Sequence, residues 1–343
     1  MLDLPVSIRE FSPAPVQSST TLRIGLVRNP RSRCNRIEGD GFRKAAAGLL
    51  GPLFFEPRSR SGIADAVCRC AQQEVNLLVI DGGDGTVRDV MNALPMPFGH
   101  RLPALAVLPS GNTNLIANNV GFGARGIPAL RRLVAGAADG SLGHNSERLH
   151  CLAVQRGEIS EPPLLGMFMG AAAFTRAVTL ARRPRIRRRF SHRAAVLATI
   201  ASALGQMACP TTRSAWLDGE PMTVTVGNGP SRTENRFLFL ATTLSRLMLG
   251  AWPFWDEQAP VREAVRFLDV TAHPPRLLSA TWSLLRGQAA PWLRRSEHYR
   301  SGSARQIALR LAGKFVLDGE MFAAGEDETI RLSLGPAFEF VRA

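Results

Sequence analysis

Residues Gly82-Gly83-Asp84-Gly85-Thr86 combine the residue types that an anion site needs. Glycines let backbone N–H groups crowd around a charged oxygen, and a helix starting directly after them attracts the same charge. Asp84 can reach a metal ion or a hydroxyl, and Thr86 can cap the helix or donate to a phosphate. The elements that must position them are legible on either side. Leu77, Leu78, Val79 and Ile80 form an apolar run of strand length, while Val87, Val90, Met91 and Leu94 recur at helical spacing. The unit is strand, glycine turn, helix, and a phosphate site is the chemistry it suits. Ordinary strands also end in glycine, but rarely in this combination before a helix.

The same alternation extends over the first part of the chain. The spacing predicts strands at 23–27, 53–55, 77–80 and 104–108, and helices at 39–50, 63–73, 86–94, 113–120 and 127–137. Strands alternating with helices imply a parallel sheet covered on both faces. Ligands of such sheets bind beyond the carboxyl ends of the strands, where Asn29, Gly82–Thr86 and Ser110–Asn114 fall.

After about Leu149 the pattern changes to strand-like runs. They lie at 149–155, 164–169, 214–217, 222–226, 237–242, 265–271, 306–311, 314–317 and 329–334, with helices at 194–207 and 277–285. Several runs alternate apolar and polar residues, as strands with one covered face do. The expected architecture is an α/β class fold: a doubly wound α/β nucleotide-binding domain (21–148), then a β-sandwich domain (149–343) that binds the substrate, behind a loose Pro- and Ser-rich tail (1–20).

Length and charge narrow the classes of function. A chain of 343 residues is ample for two cores. Its net charge of +14 is almost wholly arginine, Lys44 and Lys314 being the only lysines. The densest cluster runs from Arg182 to Arg189 with Arg193 beyond, which suits an anionic membrane surface. No helix-turn-helix, zinc-finger or RNA-binding signature accompanies it, so nucleic acid is not expected as a partner. Cys34, Cys68, Cys70, Cys151 and Cys209 show neither metal spacing nor a disulfide framework, consistent with a reducing, cytoplasmic location. The N-terminus, with Asp3, Arg9 and Glu10 among prolines, does not read as a signal peptide, and the longest apolar stretch, 194–208, is too short to span a bilayer. Trp252, Phe254 and Trp255 cluster beside a proline, and Trp282 and Trp292 lie near Arg286, Arg294 and Arg295. Indole beside cation predicts peripheral membrane contact.

The glycine turn resembles the nucleotide-binding signature of the diacylglycerol kinase catalytic family, which includes sphingosine and ceramide kinases; NAD kinases share the same five residues. Three further stretches resemble the lipid kinases. Leu22–Arg33 looks like an opening strand followed by Asn-Pro-x-Ser, Leu105–Asn114 resembles a second nucleotide loop, and Phe315–Glu320 resembles the strand and Asp-Gly-Glu turn carrying the catalytic carboxylate. The resemblance implies an ATP-dependent transfer of phosphate to the hydroxyl of a diacylglycerol-like or other long-chain lipid, with ATP and Mg²⁺ as cofactors. Asp318 and Glu320 are then the catalytic residues. Asn29, Pro30, Ser32, Gly82, Gly83, Asp84, Gly85, Thr86, Gly111, Asn112, Thr113 and Asn114 contact the nucleotide, and Asp84 is the metal ligand. The implied partners are a lipid substrate and an anionic membrane, met peripherally from the cytoplasmic side.

The tripeptide Asp-Gly-Glu occurs a second time at Asp218–Glu220, read here as a structural hairpin because the family's catalytic turn lies near the C-terminus. Departures from the family pattern are Arg88-Asp89 in place of Asn-Glu, Asn112 in place of Thr, Leu115 where many members carry Asp, and no threonine within Glu56–Ser59. The family's structural metal ligands cannot be placed in the second domain. The alternatives are an NAD-kinase-like enzyme and a non-catalytic nucleotide- or lipid-binding relative.

Overall fold

A computed structural model describes residues 22–157, 161–182, 192–255 and 263–343. The N-terminal tail and Arg183–Arg189 of the arginine cluster lie outside the described residues, as does the Arg193 side chain.

Four parallel strands open the fold in the order β2-β1-β3-β4: β1 (Ile24–Arg28), β2 (Phe54–Phe55), β3 (Leu77–Gly82) and β4 (Ala104–Pro109). Leu77 through Ile80 are wholly buried, as central strands covered on both faces must be. One face (Val27, Leu78, Ile80, Leu105, Val107) packs on α2 (Arg60–Gln72) and α3 (Asp84–Ala93). The other (Leu26, Leu77, Val79, Ala106, Leu108) packs on α1 (Asn35–Leu50) and on Gly126–Ala138. The doubly wound arrangement follows from that alternation of side-chain direction.

The sheet-rich C-terminal region contains β5 (Ser146–Arg156), β6 (Leu164–Gly166), β7 (Phe168–Ala172), β8 (Glu220–Val226), β9 (Arg232–Thr242), β10 (Val265–Thr271), β11 (Tyr299–Ala304), β12 (Gln306–Leu311), β13 (Lys314–Leu317), β14 (Glu320–Ala323) and β15 (Thr329–Val341). The first half of β9 pairs with β8, leading through β12 and β15 to β5 and β6. Its second half pairs with β7 and β10, leading to β13, β14 and β11. Residues of both layers, such as Leu152, Ile307 and Leu332 with Met169, Phe267 and Phe315, share one core.

Four expectations need correction. Ser214–Leu217 is the end of a helix, Pro210–Leu217, with Pro at its first turn, because Trp216 and Leu217 bury as well from a helical turn as from a strand. Asp218–Glu220 is therefore no hairpin but a helix-to-strand exit. Gly219, at φ 71°, has no room for a Cβ, which would lie 2.5 Å from the Arg236 carbonyl. The run 164–169 is broken at Met167 into two strands. Finally, the two regions are not divided cleanly at 148/149. The end of β15 pairs in parallel with β4 (Phe340 opposite Leu105), and Val341 joins the N-terminal core. The last strand thus belongs to both regions, and all strands form one continuous sheet.

Candidate functional site

The carboxyl ends of β1, β3 and β4 carry three loops that are fastened to one another. Asn29 donates from Nδ2 to the Thr86 hydroxyl at 2.8 Å, and its backbone N–H reaches the Asp81 carbonyl at 2.9 Å. Pro30 and Ser32 continue this first loop, Ser32 largely buried, its N–H donating to the Asn29 carbonyl. Cys34 N–H donates to the Ser110 carbonyl, and Ser110 N–H to that of Gly82. Thr86 is thus engaged by the first loop and does not cap its helix; the N-cap position is Gly83.

Glycine is required here mainly by crowding between loops. A Cβ on Gly111 would lie 2.4 Å from the Gly83 Cα, and one on Gly82 2.6 Å from the Thr86 Cβ, whereas Gly85 faces nearly open space. The second loop is folded by Asn114, which stands at φ 50° while its Oδ1 accepts from Gly111 N–H at 2.8 Å. Asn112 and Thr113 are exposed at its tip. Because Gly83 meets Gly111 through backbone, no rotamer change relieves added bulk. Gly111→Ala is expected to force the two loops apart and to lower stability by about 1–3 kcal/mol, as read by urea unfolding.

Beneath the loops lies a buried ionic cluster that sequence reasoning missed. Asp81 is fully buried, accepts from the Ser110 hydroxyl, and pairs with Arg28 Nε at 3.2 Å. Arg28 also pairs with Glu56 at 2.6 Å and donates to the Asn35 carbonyl at 3.1 Å. Burial pushes the Asp81 carboxyl above the ordinary range, opposed by Ser110 and Arg28. The available signal was the pair of charges at the ends of two apolar runs. Asp81→Ala removes the charge facing Arg28 and should lower stability by about 3 kcal/mol or more. Urea unfolding measures this, and a loss below 1 kcal/mol would refute the argument.

The second region brings the Asp-Gly-Glu turn to the same place. Asp318 (φ 47°) and Gly319 (φ 82°) form the two-residue turn between β13 and β14, Leu317 pairing with Glu320. Both central residues are left-handed, the geometry that Asp-Gly hairpins favour. The Asp318 carboxylate is buried and accepts from the N–H groups of Met167 (3.0 Å) and Phe168 (3.0 Å), which the break between β6 and β7 leaves available. Its pKa is pushed up to about 7, first by burial and then by the charge of Asp84; Phe168 N–H, Arg88 and Met167 N–H oppose the rise. Asp84 itself begins α3 rather than sitting in a free loop. Its Oδ1 accepts from Ile116 N–H at 2.9 Å, and burial raises its pKa against that bond.

Arg88 and Asn92 join α3 to the second region. Arg88, 2% exposed, donates to the Leu317 carbonyl at 3.1 Å, pairs with Asp89 at 2.6 Å and lies 5.4 Å from the Phe322 ring. Asn92 donates to the Leu165 carbonyl at 2.6 Å and accepts from Leu165 N–H at 2.9 Å. The departure at Arg88 thus sets a cation beside Asp318. Gly166 completes the pocket, since a Cβ there would lie 2.6 Å from Asp318 Oδ2.

Glu320 is placed differently. Its side chain is 44% exposed and faces Arg182 at 3.5 Å, and Arg182 also donates to the Gly319 carbonyl at 2.6 Å. The duplicate Asp218 is exposed and pairs with His273 at 3.1 Å, far in character from a catalytic carboxylate. Among the described residues no group of three or more His, Cys, Asp or Glu is placed to hold a metal. Asp84, whose charge lies near Asp318, nevertheless suits Mg²⁺, a hard cation commonly held by one or two carboxylates plus substrate phosphates. The repulsion between Asp84 and Asp318 is what such an ion would relieve.

Trp252 and Trp255 are half-buried. Trp252 packs edge-on against Phe254 at 5.1 Å with Arg266 over its ring at 5.3 Å, and both indoles lie against the main core. Beside this loop a cavity of about 960 Å³ runs from Asn112–Asn114 to Arg246, Trp252 and Arg286.

Residues 26–140 match the diacylglycerol kinase catalytic domain family. Over 67 residues the chain is 39% identical to the protein named Probable lipid kinase YegS from Escherichia fergusonii; the match spans 20% of this chain and 22% of that one. The fold is similar to that of a candidate diacylglycerol kinase from Bacillus anthracis str. Sterne, with a TM-score of 0.63 at 14% identity, covering 94% of this chain and 97% of that one. A further structure of a diacylglycerol kinase from the same organism gives 0.57 at 13% identity, covering 93% and 96%.

Proposed function

We propose that this chain, a diacylglycerol kinase-family protein by residues 26–140, is an ATP-dependent lipid kinase acting on the hydroxyl of a diacylglycerol-like or other long-chain acceptor. The observation that carries the reading is Asp318: a buried carboxylate, fixed by two backbone N–H groups and brought from the second region to face Asp84 at the phosphate loop. Phosphoryl transfer needs positioned phosphates, charge neutralisation and a base for the acceptor proton. The Gly82–Thr86 turn and the start of α3 present backbone N–H groups to the phosphates, with the Asn29 loop and the Gly111–Asn114 turn holding that loop in place. Asp84 would hold Mg²⁺, which supplies neutralisation of the phosphate charge. Asp318 takes the acceptor proton, and the hydroxyl oxygen then attacks the γ-phosphorus as the bond to ADP breaks. Arg88 holds the Leu317 carbonyl and keeps the hairpin seated.

The proposed setting is the cytoplasmic face of an anionic membrane, consistent with buried, unpaired Cys70 and Cys151. The test is purified protein with γ-labelled ATP and a panel of lipids in mixed micelles, NAD serving as the control acceptor. Label in a lipid product is expected. Label in NAD alone would favour an NAD-kinase-like enzyme, and ATP binding with no labelled product a non-catalytic relative.

A further inference from the structure

Helix Leu277–Leu285 contains no charged residue. Its inner face is accounted for, since Ala280 is buried and Leu277 and Leu284 pack on the main core. Its outer face is not: Leu278 and Trp282, one turn apart, are 67% and 64% exposed. Surface helices ordinarily carry polar residues there. The helix is also ringed by cations. Arg276 precedes it and Arg286 follows it, lying 5.9 Å from the Trp282 ring, with Arg294 and Arg295 exposed just beyond. From 274 to 296 there are four arginines and no acidic residue.

A shallow cavity of about 690 Å³ is bounded by Leu278, Trp282, Arg286 and Gln288. The larger cavity that reaches Asn112–Asn114 shares Arg286 and Gln288 with it. The exposed apolar face is therefore continuous with the second nucleotide loop.

We infer that Leu277–Leu285 is the surface by which the protein rests on an anionic lipid bilayer. Leu278 and Trp282 enter the interfacial layer, where an indole and an aliphatic chain leave water, while the arginines meet lipid phosphates. An uncharged helix face that presents Leu278 and Trp282 beside Ser279 and Ser283, rimmed by cations and facing no carboxylate of its own segment, matches that surface in both polarity and charge. That the two cavities then lead the acceptor toward the phosphate loops rests on the lipid-kinase reading; the docking does not.

The experiment is co-sedimentation with phosphatidylcholine vesicles, with and without phosphatidylglycerol. Wild type is expected to bind the anionic vesicles, and Leu278→Ser/Trp282→Ser to lose on the order of tenfold or more in partitioning. Arg294→Ala/Arg295→Ala should lose the salt-sensitive part. Brominated lipid should quench tryptophan emission in wild type and much less in Trp282→Phe. Unchanged melting and an unchanged ATP-induced shift in Tm show that the variants are folded. Wild type that ignores both vesicle types, or a Leu278→Ser/Trp282→Ser variant that binds as well as wild type, overturns the docking. So does a wild-type dimer that this variant makes monomeric, since the face would then join two copies. Lipid phosphorylation in micelles without vesicle binding would leave the kinase reading intact, and vesicle binding without any phosphorylated lipid would leave the docking intact.

Discussion

Asp318→Asn is expected to lower turnover by about 10²–10⁴-fold while ATP affinity stays near wild type, because a lost base acts on the acceptor and not on the nucleotide. The asparagine keeps one oxygen for the N–H groups of Met167 and Phe168, so the hairpin remains seated. Glu320→Gln is expected to have a much smaller effect, since Glu320 is half-exposed and faces Arg182. Asp218→Asn, at an exposed pair with His273, should be silent. A Glu320→Gln loss as large as that of Asp318→Asn would overturn the separation of the two carboxylates.

The raised pKa of Asp318, about 7, adds a pH signature. The base works ionised, so kcat/KM should fall as pH drops through 7. Stability runs the other way. In the native state the carboxyl binds a proton that the unfolded chain has already released, so between about pH 4 and 7 stability declines as pH rises. Asp318→Asn should flatten that slope in urea titrations. A slope unchanged by the substitution would mean that Asp318 ionises at its ordinary pKa.

Asp84→Asn is expected to abolish measurable turnover and to weaken Mg²⁺-dependent ATP binding, since it removes the carboxylate proposed to hold the metal. Asparagine is the informative replacement because the Ile116 N–H bond to Oδ1 is structural and alanine would forfeit it. Calorimetric titration of ATP with and without Mg²⁺ separates the effects: affinity without the metal should change little, and the gain on adding it should disappear. A variant as active as wild type would remove Asp84 from the site.

Much of the architecture was legible because its signals are local. Leu77–Ile80 with a helical pattern behind a glycine turn leaves little freedom, and a parallel strand covered on both faces must be a continuous apolar run. The three loops at one sheet edge followed from the same alternation. The Asp-Gly dipeptide announced a tight turn at 318–319, and the turn is indeed a hairpin. Short amphipathic stretches were less legible. Ser214–Leu217 fits a strand or a helical turn equally well, and Tyr299–Ala304 and Glu320–Ala323 lack the apolar alternation that marks strands.

The sequence by itself determined which residues form the three loops at the sheet edge, since glycine turns and strand-helix periodicity are properties of adjacent residues. Only the tertiary structure decided the partners of those loops. Arg28 and Asp81 are 53 positions apart, and Arg88 and Leu317 are 229 apart, so no window along the chain could reveal the pairs. The same holds for the contrast between Asp318 and Glu320. Burial and a neighbouring Asp84 raise the pKa of one, while solvent and Arg182 surround the other, and both environments exist only once β13 and β14 are seated against the break at Met167.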